Sequence, residues 1–189
     1  MRTIMAGLVG GIVFFLWGAV AHMMLPIGTM GMKLPTDQQA VLAAIAPTTH
    51  GAGVYEYPSI APDKWKDDAA VKAFNDANHG SAYAFVIYQP GGNPAHANMQ
   101  PNLIRQFASD ALSALIVAFV LGLGAFGLAK RVFIATALGA FSALTVSVPW
   151  WNWYMFPLDF TIGSVMEQVI GWLIAGIAIS LVLGRHHRR

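Results

Sequence analysis

Four long apolar runs dominate the sequence, and each approaches the length that a helix needs to cross a bilayer. The runs cover residues 4–24, 107–129, 132–149 and 162–184. A helix of about 20 apolar residues matches the hydrocarbon thickness of a membrane. The pattern therefore predicts an all-α transmembrane four-helix bundle, with these runs as transmembrane helices 1 to 4.

A longer and more polar segment, residues 25–106, separates the first two apolar runs. It is long enough to fold rather than only to connect two helices. Thr36 and Gln39 have the spacing of a capping box, which predicts a short helix over residues 37–45.

The remainder of this segment contains one polar helical pattern and two strand patterns. Residues 63–78 are predicted to form a helix, while 53–57 and 81–89 are rich in aromatic and β-branched residues and are predicted to pair as strands. Pro101 can open the helix that leads into the second span. The segment is therefore predicted to be a small α+β extracytoplasmic insert, or cap, between helices 1 and 2.

The basic residues orient the predicted spans. Arg2 precedes the first run, Lys130 and Arg131 separate the second from the third, and the basic tail 185–189 follows the fourth. All nine acidic residues fall on the other side or at its border. Because lysine and arginine are enriched in cytoplasmic loops, both termini are predicted to be cytoplasmic, with residues 25–106 and an aromatic outer loop at 150–161 outside.

The composition agrees with a membrane protein and excludes several functional classes. Hydrophobic residues make up 56% of the chain and charged residues 11%, against about 25% charged in soluble domains. The net charge of +2 comes from basic residues at positions that a membrane favours, so no nucleic-acid partner is predicted. The chain has no cysteine, which excludes disulfides, thiolate metal sites and a lipoprotein anchor.

Aromatic residues follow the third apolar run, at Trp150, Trp151, Trp153 and Tyr154. Tryptophan and tyrosine concentrate where a membrane meets water, because their rings are apolar and their N–H or O–H groups are not. These residues are predicted to lie at the membrane interface. A groove for a lipid tail, a quinone or a partner helix is the alternative interpretation.

Small residues recur at helical spacing on three of the four runs and predict helix-packing faces, because small side chains let membrane helices approach closely. They are Gly7, Gly11 and Gly18 on the first run, Ala114, Ala118 and Gly122 on the second, and Gly171 and Ala175 on the fourth. The same three faces carry His22, Asp110 and Glu167. These ionisable residues are therefore predicted to point toward the bundle interior.

His22, Asp110 and Glu167 also lie at a similar depth, roughly 27–30 Å from the basic residue at the cytoplasmic end of each helix. They are predicted to converge near the outer edge of the bundle. One interpretation is structural, with the three residues satisfying one another, helped by Gln106 and Asn152. The alternatives are a site for a divalent metal such as zinc, manganese or iron, and a proton-relay or substrate role.

Two features near residue 22 allow a copper interpretation. Arg2 and the small residues Ala19 and Ala21 also fit a signal peptide, and its cleavage would leave His22 as a new N-terminus able to chelate copper. Thioether ligands for Cu(I) are available nearby, at Met23, Met24, Met30 and Met32. Methionine is also an ordinary apolar filler of membrane helices, and the first run is interpreted as a membrane helix.

Several short stretches resemble uncharacterised small bacterial four-span inner-membrane proteins. They are Gly7–Gly11 through Trp17-Gly18, His22-Met23 with Leu25-Pro26 and Gly28, Phe85–Tyr88 with Pro90-Gly91, and Trp151–Tyr154 with Phe156-Pro157. The resemblance implies a multi-pass protein of the bacterial cytoplasmic membrane with an external insert between its first two spans. It implies no activity, so it assigns no catalytic residue.

The sequence contains no phosphate-binding glycine loop, no HExxH or GxSxG motif and no haem-attachment motif. The predicted function is therefore non-catalytic: an inner-membrane scaffold or accessory subunit whose external cap docks a membrane or periplasmic partner protein. One alternative is a metal-binding or metal-delivery protein that uses His22, Asp110 and Glu167. The other is a small transporter or channel formed by homo-oligomerisation. No cofactor beyond a divalent metal is predicted, and the lipid bilayer is the expected surrounding.

Overall fold

The computed structural model describes residues 1–184, which form two compact units. The bundle unit comprises Met1–Lys33 and the chain from Ala95 onward, and the insert unit comprises Leu34–Pro94. The bundle unit contains α1 (Arg2–Met23), α4 (Gln100–Gly122), α5 (Leu128–Tyr154) and α6 (Leu158–Leu183). The insert unit contains α2 (Gln38–Ile45), β1 (Gly53–Tyr57), α3 (Asp68–Asn78) and β2 (Ala84–Tyr88).

The four helices of the bundle unit are long and apolar enough to cross a membrane. Each overlaps one predicted span, although α4 begins and ends seven residues earlier than the predicted span 107–129, and together they indicate a multi-pass membrane protein. The predicted helical bundle and the small two-stranded sheet are confirmed.

α1 and α6 form the centre of the bundle unit. α1 packs against α4 and α6, and α6 also packs against α5. Small residues occupy most of the interior, where Ala6, Ala114, Ala118 and Ala175 have no exposed surface. Alanine and glycine allow the helix backbones to approach closely. The van der Waals contacts formed in this way stabilise the bundle, because the hydrophobic driving force between apolar helices is weak in lipid.

The insert unit is built on an antiparallel pair of strands in which Val54 lies opposite Ile87 and Glu56 opposite Phe85. Asp37 and Asp67 cap the two helices by accepting hydrogen bonds from backbone N–H groups of the first turn. The cap of α2 is therefore Asp37 and not the predicted Thr36.

The turn between the second and third spans differs from the prediction. Lys130 and Arg131 were expected to form it, but α4 already ends at Gly122 and α5 begins at Leu128. The turn contains Gly124 and Gly127, which lower the helix propensity of an otherwise apolar stretch. The two basic residues consequently lie in the first turn of α5.

The predicted outer loop 150–161 is much shorter in the structure. α5 continues through the aromatic residues to Tyr154, and α6 begins at Leu158. Pro149 was expected to end the span, but it lies inside α5. A proline removes one backbone hydrogen bond without preventing the next residues from continuing the helix, and Met155 in the left-handed conformation ends it.

The predicted bounds of the cap, residues 25–106, are also wider than the observed insert unit. Residues 25–33 belong to the bundle unit, where a short 3₁₀ helix at Ile27–Thr29 packs on α6. The predicted helix over 63–78 is a 3₁₀ turn at Pro62–Lys64 followed by α3. The basic tail 185–189 lies outside the described residues.

Candidate functional site

His22 and Glu167 join the last turn of α1 to the first half of α6. His22 Nε2 lies 3.2 Å from Glu167 Oε1, with 51% of the imidazole and 21% of the carboxylate side chain exposed. An ionised carboxylate can only accept a hydrogen bond, so in the ionised pair Nε2 is the donor. Two of the three ionisable residues that were predicted to converge are therefore in direct contact.

Neighbouring residues position both members of this pair. Gly28 packs against the imidazole of His22, and a Cβ at Gly28 would overlap the ring. Trp17 Nε1 donates a hydrogen bond of 2.9 Å to the backbone carbonyl of Glu167. A Cβ at Gly18 would lie 4.0 Å from Glu167 Oε1, so this glycine leaves room for the carboxylate. α1 thus holds Glu167 through its backbone and through its side chain.

Asp110, the third predicted member, is buried in α4 with only 5% of its surface exposed. Its Oδ1 accepts a hydrogen bond of 2.9 Å from Gln106 Nε2, one helical turn earlier. Asp110 also lies close enough to Glu167 for the two carboxylates to repel each other. The predicted help from Gln106 is observed, whereas Asn152 occupies an exposed position on α5.

The three ionisable residues lie in two separate hydrogen-bonded pairs. His22 bonds Glu167, and Asp110 bonds Gln106. Within residues 1–184, no group of three histidine, cysteine, aspartate or glutamate side chains is arranged to hold a metal ion. A metal site formed by His22, Asp110 and Glu167 stays a prediction from the sequence. Met30, one of the copper candidates, packs against Gly163 as an apolar filler, and Met23 and Met24 are exposed.

The predicted packing faces contain both tight and loose positions. A Cβ at Gly11 would lie 2.6 Å from Ala111 Cα, and one at Gly7 would lie 2.7 Å from Leu115 Cα. Gly171 packs against Phe14 and Trp17 in the same way. In contrast, Gly18 and Gly122 would accept a Cβ at ordinary contact distances.

The structure adds close contacts that the predicted faces did not include. They are Gly10 against Ile179, Gly139 against Trp172, Gly163 against Ile27 and Gly176 against Ala135. Each joins α6 to a neighbouring element of the bundle unit.

The predicted interface residues all lie at exposed positions at the end of α5. Trp150, Trp151, Trp153 and Tyr154 each keep more than a third of their surface accessible. Trp150 contacts Tyr154 and Phe156, with ring centroids 5.9 and 5.0 Å apart. These rings form a continuous aromatic surface, which suits the interface between a membrane and water.

Two arginines meet the carboxyl end of α6 at the opposite end of the bundle unit. We call this region, marked by Arg2, Lys130 and Arg131, the basic end. Arg131 Nη1 donates a hydrogen bond of 2.7 Å to the carbonyl of Gly184, and Arg2 Nε donates one of 2.9 Å to the carbonyl of Val182. The partial negative charge of a helix C-terminus attracts such cations.

The burial of Arg131 was not predicted from the sequence. Only 3% of Arg131 is exposed, although a charged residue next to a turn is expected to reach water. The available signal was its spacing, because Arg131, Ala135, Gly139 and Ala143 follow one another in steps of four and are the buried residues of α5.

The pair of His22 and Glu167 can connect α1 to α6, with half of the imidazole accessible. At the basic end, the buried guanidinium of Arg131 can hold negative charge. Comparisons of the chain with protein-family models, with curated proteins and with solved structures return no match, so its function has to be inferred from its own residues.

Proposed function

We propose that this protein is a membrane scaffold or accessory subunit whose insert unit binds a partner protein. The bundle unit anchors the chain in the membrane, and the insert unit supplies the contact. The observation that carries this proposal is that no residue of the insert unit is buried, while several of its large apolar side chains are exposed.

The insert unit lacks the core that normally stabilises a small domain. Neither α2 nor α3 has a buried residue, and the sheet has only two strands. A two-stranded sheet is marginally stable in water unless one of its faces is covered. A partner that covers the exposed apolar side chains would therefore stabilise the fold as it binds.

One face of the sheet is suited to such a contact. Val54 and Ile87 lie opposite each other and are 61% and 71% exposed. Residues directly opposite in an antiparallel pair share a face, so these two form one apolar surface. Val54 also lines a groove of about 520 Å³ together with Trp65 and Phe74. Trp65 is itself largely exposed, and tryptophan is among the residues that contribute most to binding at interfaces.

The charge of the insert unit favours a protein partner with a basic surface. Residues 34–94 contain six carboxylates and three lysines, which gives a net charge of −3 with histidine neutral. An anionic lipid surface would repel this unit, and so would a second copy of it. A partner that surrounds an apolar patch with lysine or arginine would be attracted and oriented.

The packing of the bundle unit favours an anchor over a pore within a single chain. Gly7 and Gly11 bring the backbones of α1 and α4 into contact, and Gly176 brings α6 against Ala135 of α5. Close contacts of this kind leave no space for water between those helices. A transporter or channel formed by several chains is the alternative function.

The orientation forms part of the proposal. We place the basic end at the cytoplasmic surface of a bacterial inner membrane and the insert unit outside. The support is the positive-inside rule, since Arg2, Lys130 and Arg131 lie at one end of the spans and no carboxylate accompanies them there.

The proposal is tested by purifying the full chain in a mild detergent and determining the stoichiometry of the proteins that remain bound. We expect one second protein at a fixed ratio, which is then purified and rebound to the wild type. Ile87→Lys places a cation on the apolar face and should weaken the rebinding by about tenfold or more, because it repels a basic partner and disrupts an apolar contact.

Ala73→Lys is the matched control, because it adds the same charge at an exposed position of α3. This variant should rebind the partner like the wild type, and binding of both should weaken as the salt concentration rises. A wild-type protein that purifies without a second protein at a fixed ratio would contradict the proposal. Equal affinity of wild type and Ile87→Lys would contradict the assigned surface.

A further inference from the structure

A buried guanidinium at the basic end has no anionic partner in the part of the chain that the structure describes. Arg131 is 3% exposed, and its Nη1 bonds a neutral carbonyl, that of Gly184. Its Nε has no hydrogen-bond partner among residues 1–184. Burying a charge without an opposite charge is unfavourable, and leaving a buried N–H unsatisfied adds to that cost.

The described chain offers no carboxylate for this arginine. No aspartate or glutamate occurs between Asp110 and Asp159, none before Asp37, and none after Glu167. Glu167, the last carboxylate along α6, precedes Leu183 by sixteen positions, a distance of about 24 Å along a helix. Within residues 1–184, no carboxylate is therefore placed to act as the counter-ion of Arg131.

Arg131 lines a cavity that can hold such an ion. The cavity has a volume of about 640 Å³ and lies between the turn from α4 to α5 and the end of α6. The other lining residues include Ala125, Phe126, Gly127, Leu128, Ser180 and Gly184. The space is larger than one inorganic anion needs, so a larger molecule with an anionic group also fits.

The beginning of α5 supplies a second and independent attraction for an anion. Gly127 is its N-cap, and no side chain caps the free N–H groups of the first turn. Those groups carry the positive end of the helix dipole. Gly127 and Leu128 both line the cavity, so the N-terminus of a 27-residue helix and the residue Arg131 border the same space.

We propose that this cavity binds a phosphate group, held by Arg131 and by the first-turn N–H groups of α5. Nη1 is occupied by the Gly184 carbonyl, whereas the edge of the guanidinium that carries Nε keeps an N–H group without a partner within residues 1–184. Two N–H groups of a guanidinium match two phosphate oxygens in geometry, which favours phosphate over a spherical anion. The headgroup of an anionic phospholipid and free inorganic phosphate present the same oxygens.

The test titrates the full-length protein in a neutral detergent with phosphatidylglycerol and, separately, with inorganic phosphate. Binding is measured as a saturable rise in the unfolding temperature and as a one-to-one adduct in native mass spectrometry. Arg131→Gln should weaken the binding by about tenfold or more, because a charge-assisted hydrogen bond is lost.

Lys130→Gln is the matched control, because it removes the same charge from the neighbouring position, where the side chain is exposed and lies over the ring of Phe126. We expect a change of less than about twofold, since an exposed charge contributes little to binding. Equal losses in the two variants would show that only general surface charge is involved and would overturn the proposal.

Gly127→Asp is a second variant that tests the proposal if Arg131→Gln does not fold. A Cβ at Gly127 meets no atom within 4 Å, and its backbone conformation is open to any residue. Aspartate there would cap α5 and place a carboxylate at the cavity. This variant should unfold at a higher temperature without ligand and should show no further rise with it. A rise as large as in the wild type would overturn the proposal.

The two ligands distinguish the source of the phosphate. A response to phosphatidylglycerol alone identifies a lipid headgroup, because the acyl chains then contribute to binding. A response to inorganic phosphate identifies the phosphate group as sufficient. The absence of a response to both would overturn the proposal.

Discussion

The imidazole of His22 and the carboxylate of Glu167 connect α1 and α6 through one hydrogen bond, while the backbone of Glu167 receives a second from Trp17. The indole bond survives any change of the Glu167 side chain, so the register of the two helices should persist in variants. Substitution of Glu167 therefore reports on the contact with His22 itself.

Glu167→Gln should be tolerated better than Glu167→Leu, because an amide oxygen still accepts a hydrogen bond from His22 Nε2 and leucine does not. Half of the imidazole is exposed, so the destabilisation by leucine should be near the lower end for an unsatisfied polar group, about 1 kcal/mol. The unfolding temperature of both variants in detergent tests this. Equal destabilisation by both, together with metal retained by the wild type, would instead favour the metal site.

Glycines on the same helix differ in what they contact. Gly11 of α1 lies against the backbone of Ala111, whereas Gly18 faces a space that Glu167 only borders. The first contact joins two helices, and the second leaves room for a side chain.

Gly11→Ala should destabilise the protein by about 1–3 kcal/mol, because the added methyl group pushes α1 away from α4. Gly18→Ala is the matched control on the same helix and should be neutral or stabilising, since alanine is the better helix former. The difference in unfolding temperature between the two variants measures the effect. If Gly18→Ala is as harmful as Gly11→Ala, the contacts of α1 are assigned wrongly.

α5 contains residues that were predicted to belong to two elements, the third span and the aromatic outer loop. Pro149 lies in its interior, and the aromatic residues Trp150 and Tyr154 stay helical and contact each other across one turn. Residues four apart on a helix are neighbours, so this contact supports the turn that follows the proline. At the other end of α5, Arg131 lies on the face that packs against α6.

Within residues 1–184, every buried residue belongs to the bundle unit, and the insert unit contains none. This division separates the two proposals, because partner binding involves the insert unit and phosphate binding involves the basic end of the bundle unit. Each can fail without the other.

The proposed orientation is tested by single cysteines, since the chain has none of its own. Ser59→Cys in the insert unit should react with an impermeant thiol reagent on intact cells. Ala125→Cys, exposed in the turn between α4 and α5, should react only after permeabilisation. Labelling of Ala125→Cys and not of Ser59→Cys on intact cells would reverse the orientation.

Local patterns were sufficient to predict the four apolar helices, the pairing of the two strands and the approach of His22 to Glu167. Each of these follows from spacing along one element, from length or from matched depth. The hydrogen bond from Gln106 to Asp110 is also local, because the two residues are one turn apart.

Only the tertiary structure decided which positions of a small-residue face touch another helix. It also decided that Arg131 is buried, with an Nε that has no partner within the described residues. The ends of helices likewise depended on their surroundings, as Pro149 inside α5 shows. The physical reason is that periodicity specifies a face of a helix but not what lies opposite it. Contact distance and burial depend on how neighbouring helices are placed, which no single segment of the sequence contains.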